Sequence, residues 1–261
     1  QGKQFYLNPL DKVNLLAGKW GVDAEYAWDV PGGKGEGVVV AVFDTGWITD
    51  HEDLPPVKVI TGESSTKMGQ KAHGTAVLGI LAAIKDIYGV TGISHKATVK
   101  VAGALLPGTD KINLQSLEAA VNELNSGDVL LIEVGIKGAP PPLECKTSAC
   151  TPAENDTSVF TLIKNAVGKG IVVVEVAGNS DYNLDDSVFN GQFGQDPGAV
   201  MVGSSVPTSL CPLDSSNYGA RLDLQGFGDE VWTTAYKGAE GPFDLTIDPN
   251  DSDFLTNSYT S

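Results

Sequence analysis

Gly37-Val38-Val39-Val40-Ala41-Val42-Phe43, followed at once by Asp44-Thr45-Gly46, is an apolar run without polar alternation that ends on a carboxylate and a turn. Strands exposed on one side alternate apolar with polar residues. An unbroken run rich in Val therefore reads as a strand buried on both faces, as in a parallel sheet covered by helices. Ala97 to Leu105, Val129 to Ile136, Ile171 to Val176 and Ala199 to Val206 read the same way. Between these runs, Gly74 to Ile87, Ile112 to Leu124 and Ser158 to Val167 carry apolar residues at three- and four-residue spacings and are predicted to be helices. Gly168 and Gly170 are expected to stop the third of them. The fold class expected is α/β, a mainly parallel β-sheet with helices on both faces.

The remaining stretches, roughly 1 to 36, 138 to 157, 181 to 197 and 207 to 261, are rich in Pro, Gly, Asp, Asn and Ser and read as loops and short strands. None has the look of a flexible linker, and no internal repeat is evident. Residues 1–261 are accordingly expected to form a single domain.

With 41% hydrophobic residues in 261, the chain can bury a core of its own. Its net charge of −16 and pI near 4.4 argue against nucleic acid or an anionic membrane surface as partner, because both would be repelled. No apolar run approaches the roughly 20 residues needed to cross a bilayer. The opening Gln1-Gly2-Lys3-Gln4 lacks the apolar centre of a signal peptide, so a soluble, already processed chain is expected. Cys145 and Cys150 bracket a short loop that would close as a local disulfide in an oxidising compartment. Cys211 is left over, and three unpaired cytosolic thiols are the alternative. The sequons at Asn155 and Asn250 would be used only in a secreted eukaryotic protein, and such tripeptides are common by chance.

Asp44 draws attention by its position at the C-terminal end of the first buried strand, where open α/β sheets build their sites. A turn Asp followed by a turn Gly is the plain alternative. Asp-Thr-Gly also marks aspartic proteases, but these need two such loops so that two carboxylates share one proton, and no second copy occurs. Gly32 to Gly37 (Gly-Gly-Lys-Gly-Glu-Gly) precedes its strand. A phosphate-binding loop would follow the strand and open a helix, so a dinucleotide site is excluded on topology. Of the three histidines, His51 and His95 lie in polar loop contexts and read as structural. His73 heads His-Gly-Thr-Ala-Val-Leu-Gly-Ile at the expected start of the first helix. Gly74 and Gly79 leave that helix with little bulk near its start, which suits close packing onto the sheet and brings an imidazole within reach of Asp44.

Asp-Thr-Gly after a strand, then His-Gly-Thr-Ala-Val-Leu-Gly-Ile, then Ala177-Gly178-Asn179 after a later strand, in this order, resembles the subtilisin-like serine proteases, the subtilase family. The resemblance runs from Val22 to Trp28 through Gly92-Ile93-Ser94 to the closing residues. It implies a subtilisin-like fold and a catalytic domain in which Asp44 orients and charge-stabilises His73. His73 would take the proton of a Ser, and the Asn179 amide would donate to the tetrahedral oxyanion. By the same resemblance Glu133-Val134-Gly135 corresponds to a Ser-Leu-Gly segment that pairs with extended substrate, and Ala177 and Gly178 would join it in substrate binding. The expected partner is a polypeptide substrate and the expected setting extracellular, as for a mature secreted enzyme.

The pattern departs from the family at its nucleophile. The family's Ser lies in Gly-Thr-Ser followed by a small residue and Pro, on a helix, and no Gly-Thr-Ser occurs in these 261 residues. The chain ends Asn257-Ser258-Tyr259-Thr260-Ser261, and a Tyr-Thr pair commonly precedes that motif in related sequences. Two explanations stand: the Ser follows residue 261, in continuing chain or on a separate C-terminal fragment, or Thr260-Ser261 is a degenerate nucleophile. A terminal Ser would lack the helix that fixes its rotamer, and loose placement alone can cost about 10²-fold in rate.

Glu133 replaces that Ser of Ser-Leu-Gly, and Glu175 interrupts the apolar run Val-Val-Val-Glu-Val. Both are expected near the cleft, either as negative charge favouring Lys or Arg beside the scissile bond, or as structural carboxylates bonded to neighbouring loops. No cofactor is required for this chemistry. The acidic loop Asp181 to Asp186 is a candidate Ca²⁺ ligand set, or simply solvated. The rival functions are a catalytically inactive subtilase-fold binding protein and a non-protease α/β binding protein, in which Asp44, His73 and Asn179 would lie far apart.

Overall fold

The run that opens the site forms β1, Val39–Asp44, an inner strand of the sheet. In the computed structural model, which describes residues 4–9, 20–138, 140, 143–145, 150–234 and 254–257, β1 is hydrogen-bonded in parallel to β3 (Thr98–Gly103) on one side and to β4 (Val129–Ile132) on the other. Outward from these lie β2 (Lys58–Thr61) beyond β3, and β5 (Val172–Val176), β6 (Val200–Ser205) and β7 (Leu224–Phe227) beyond β4. Every pairing is parallel, giving a seven-stranded sheet in the order β2-β3-β1-β4-β5-β6-β7. The sheet expected from the sequence is therefore present. The five strands read from apolar runs are each found, trimmed by a few residues where the run continues past its ladder.

Helices cover both faces, which is why the strands carry no polar alternation. On one face α2 (Met68–Ala82) packs Ala76, Val77 and Leu78 against Val40, Val42, Val99 and Val101. On the other, α3 (Leu114–Asn122) and α4 (Thr157–Gly168) bury Leu117, Ala120, Ile163 and Ala166 against Phe43, Leu130 and Ile132. Each such large side chain taken fully out of water is worth roughly 1.5–3 kcal/mol. Both helices on this second face start on a side-chain cap: Asn113 Oδ1 accepts from the Ser116 amide, and Asp156 accepts from the amides of Ser158 and Val159.

Helix α2 differs from the sequence reading. It begins at Met68 rather than Gly74 and ends at Ala82 rather than Ile87, so His73 sits in its second turn and not at its start. Its first turn is polar and lacks a side-chain cap on Lys67, so no start signal marks it. At its far end the chain leaves the helix to bond elsewhere, the Ile84 amide donating to the Asp53 carbonyl at 2.8 Å.

A second, two-stranded antiparallel sheet joins β8 (Val231–Thr234) to β9 (Phe254–Asn257) and braces α2. Thr233 and Thr234 donate their hydroxyls to the carbonyls of Ala76 and Thr75 at 2.6 and 2.7 Å. A Cβ on Gly79 would stand 2.2 Å from Thr234 Oγ1. That glycine thus allows close packing as expected, but against β8 rather than the main sheet. Cys145 and Cys150 form a disulfide and Cys211 is a free, exposed thiol. Among the described residues no helix is long and apolar enough to cross a membrane. The sequon at Asn250 and the terminal Thr260-Ser261 lie outside the described residues.

Candidate active site

The C-terminal ends of β1, β4 and β5 are adjacent in the sheet and present, in order, Asp44, Glu133 and the turn Ala177-Gly178-Asn179. Asp44 is clamped by its backbone on both sides. Its carbonyl accepts from the Ala104 amide at 2.8 Å, and the Glu133 amide donates to the preceding carbonyl, Phe43, at 3.0 Å. Its carboxylate accepts from the Thr45 amide and from His73 Nδ1, the latter at 2.9 Å to Oδ2 and 3.2 Å to Oδ1. The side chain of Asp44 is 1% exposed and that of His73 23%. The carboxylate is sealed while the ring keeps an edge to solvent. An ionised carboxylate only accepts hydrogen bonds, so Nδ1 carries a proton, and the neutral ring would keep its lone pair on Nε2.

Burial alone would lower the pKa of His73, but the Asp44 charge and hydrogen bond, with a further contribution from Glu133, raise it to about 9. Burial pushes Glu133 up to about 7, Asp44 adding to the rise and His73 opposing it. Oε2 of Glu133 is shielded from solvent without a hydrogen-bond partner among the described residues.

Close approach of α2 to the Asp44 loop requires the glycine after the histidine. A Cβ on Gly74 would lie 1.9 Å from the Gly46 carbonyl oxygen and 3.2 Å from Asp44 Oδ2. Gly74→Ala is therefore expected to push the helix off the loop. A displacement of about 1 Å costs on the order of 10²-fold in turnover, measurable as kcat in the full-length protein.

The turn bearing Asn179 is held by Asn217, a residue that sequence reasoning missed. Asn217 Nδ2 donates to the carbonyls of Cys150 and Ala177 at 2.7 and 2.8 Å, and its Oδ1 accepts from the amides of Ser180 and Tyr182 at 3.1 and 3.0 Å. Its own amide donates to the Gly178 carbonyl at 3.0 Å, and Gly178 turns with φ +93°. Asn217→Ala would strand two buried amides and two carbonyls. A loss of about 3 kcal/mol in urea unfolding is expected. Nothing in Ser215-Ser216-Asn217-Tyr218 distinguishes it from a solvated loop.

Glu175 does not reach the cleft. Ile132 is its partner in the β4–β5 ladder, so it faces the side of the sheet opposite Glu133. There its Oε2 accepts from the Glu154 amide at 3.3 Å, beside Arg221. Burial and the neighbouring Glu154 carboxyl hold Glu175 well above the usual carboxylate range, against the opposing Arg221 charge. Arg221 forks onto Glu154 through Nε and Nη2 at 2.9 and 2.8 Å. Of the two alternatives for this carboxylate, the structural one holds.

His51 and His95 are structural as expected: His51 Nδ1 accepts from the Asp53 amide, and His95 bonds the Gly92 carbonyl and stacks edge-on against Trp28. In the acidic loop, Asp185 accepts from the Ala220 amide and Asp186 from the Val188 amide. Among the described residues no three His, Cys, Asp or Glu side chains converge as a metal site.

Two cavities flank the dyad. One lies between Ser64, Thr66, Gln70 and Leu105, Leu106, Asp110, next to Thr45. The other runs along β4, β5 and β6 and is lined by Leu131, Val174, Val176, Val202 and Phe227, with Glu133 in its wall and Glu175 also lining it, although the Glu175 side chain is turned to the other face.

The sequence matches the model of the subtilase family over residues 35–261. This chain is a subtilase. It is 32% identical over 211 residues to subtilisin Savinase of Lederbergia lenta, covering 78% of this chain and 68% of that protein. It is 27% identical over 242 residues to subtilisin E of Bacillus subtilis, covering 85% of this chain. The chain spans 58% of the length of subtilisin E. Among solved structures, the serine protease of Aeromonas sobria, determined in complex with a chaperone, superposes with a TM-score of 0.69 at 19% identity, covering all of this chain and 51% of that one. A cold-adapted subtilisin-like serine proteinase superposes with a TM-score of 0.57 at 18% identity, over 87% of this chain and 70% of the other. At such identities the likeness establishes the subtilisin-like fold, and the family match carries the assignment.

Proposed function

We propose that this subtilase is the Asp, His and Asn portion of an extracellular serine endopeptidase whose nucleophilic Ser lies beyond residue 261. The observation that carries the reading is the buried Asp44 carboxylate 2.9 Å from Nδ1 of a partly exposed imidazole ring. In the reaction, His73 Nε2 takes the proton of the Ser hydroxyl as Oγ bonds to the scissile carbonyl carbon. The Asn179 side-chain amide donates to the oxygen that becomes negative. The C–N bond then breaks, the amine leaves with the proton from His73, and an acyl-enzyme remains. Water, deprotonated by His73, attacks this ester and frees the acid.

The backbone of Glu133-Val134-Gly135 lines the site for extended polypeptide, with Ala177 and Gly178 opposite. The apolar cavity along β4, β5 and β6 supports the position assigned to the nucleophile, since it offers a seat beside α2 for a helix bearing the Ser, whether on continuing chain or on a separate C-terminal fragment. The Cys145–Cys150 disulfide supports an extracellular setting. With Glu175 locked beneath the sheet, any preference for Lys or Arg beside the scissile bond falls to Glu133 alone.

The test is to treat the full-length protein with a fluorophosphonate and map the adduct. Modification of a single Ser in a Gly-Thr-Ser motif after residue 261 is expected. No adduct, together with no hydrolysis of peptides, would leave a subtilase fold used for binding.

A further inference from the structure

Glu133 and Asp44 end neighbouring strands in register. Phe43 pairs with Ile132, so the next residue of each strand stands side by side. By alternation Glu133 shares the face of Leu131, which packs with Val40 and Val42 beneath α2, and α2 carries His73. Two carboxylates from adjacent strands thus flank one imidazole. They differ in how they are satisfied: Asp44 has the Thr45 amide and the ring, while Oε2 of Glu133 is sealed without a partner. The charged groups facing Glu133 are Asp44 from β1 and His73 from α2. On its other flank β5 places Val176 alongside, its Glu175 being turned to the opposite face, and β6 contributes the uncharged Ser204 to the same cavity. A half-buried carboxylate with one oxygen shut off from water and unpartnered is costly unless it is protonated or balanced by a nearby cation.

We propose that Glu133 is a positioning residue for the reaction, a second carboxylate that acts through the His73 ring and sets the pH at which that ring is free to take the nucleophile's proton. The proposal rests on reading Asp44 and His73 as the catalytic pair and deepens it. Burial lifts Glu133 to about 7, and the two carboxylates together lift His73 to about 9. The pair loses its protons in two steps that belong to both groups. Below the first step both are protonated. Between the steps Glu133 is ionised and the ring is a cation, which cannot act as base. Only above the second step is Nε2 free. Removing the Glu133 charge lowers the ring's pKa, so the acid limb of the activity profile moves to lower pH.

The experiment uses the full-length protein and its Glu133→Gln and Glu133→Asp variants, with kcat/KM for one peptide followed against pH and His73 titrated by NMR in parallel. Glu133→Gln is expected to move the acid limb and the ring midpoint down together by about one pH unit, whereas Glu133→Asp, which keeps the charge, leaves the midpoint near its original place. A purely structural Glu133 would lower activity at every pH without moving either midpoint, and that result overturns the proposal. Should Glu133→Gln fail to fold, Glu133→Ser removes the same charge with less bulk and is read the same way. The NMR midpoint does not depend on turnover. If no variant hydrolyses peptide the protease reading fails, while the ring titration still decides whether Glu133 controls it.

Discussion

Asp44→Asn in the full-length protein is expected to lower kcat about 10⁴-fold, with KM nearly unchanged and the fold intact. The carboxylate accepts from Nδ1 and so fixes the tautomer whose Nε2 carries no proton. An amide at the same position can turn its NH₂ to the ring and stabilise the opposite tautomer, whose Nε2 already carries a proton and cannot take another. It also removes the charge that stabilises the imidazolium formed during attack. Asp44 is 1% exposed, so water does not restore the missing acceptor. Steady-state hydrolysis of a peptide, with circular dichroism as a fold control, measures this. A loss of only a few-fold would mean that the ring is oriented by some other group.

Arg221→Met is the substitution expected to cost most stability, roughly 3–5 kcal/mol. Arg221 is 5% exposed and bonds Glu154 at two points, Asp223 Oδ2 at 3.0 Å and the Ala199 carbonyl at 3.1 Å. Glu154 is 1% exposed, so losing the guanidinium leaves a buried carboxylate without its cation, next to Glu175. That penalty belongs to the orphaned charge more than to the lost contacts. The double variant Arg221→Met with Glu154→Gln should accordingly recover part of the loss, and a denaturant melt of the three proteins reads the coupling. A double variant no more stable than Arg221→Met would assign the cost to packing instead.

How much of this could be read in the sequence follows from how locally each feature is encoded. Strands β1, β3, β4, β5 and β6 were legible because burial on both faces writes an unbroken apolar run. Edge strands β2 and β7 were not, since Lys58 and Val59, like Leu224 and Gln225, are exposed and show no such run. Asp44 and His73 were singled out by motifs at strand and helix ends, and their contact came out as expected. The length of α2 was obscured by an uncapped, polar first turn. Glu175 announced itself by interrupting an apolar strand, but its partners Glu154 and Arg221 are distant in the chain, so no local signal could choose between cleft and core. Asn217 was invisible for the same reason: all four of its side-chain bonds go to backbone far from it in sequence.

The central claim is that Asp44 holds His73 in the tautomer of a general base, and the most direct measurement is proton NMR of the full-length protein with ¹⁵N-labelled histidine. A hydrogen-bonded Nδ1 proton on His73, slow to exchange and lost in Asp44→Asn, is expected. A His73 carrying its proton on Nε2, or an Nδ1 proton indifferent to Asp44→Asn, would contradict it.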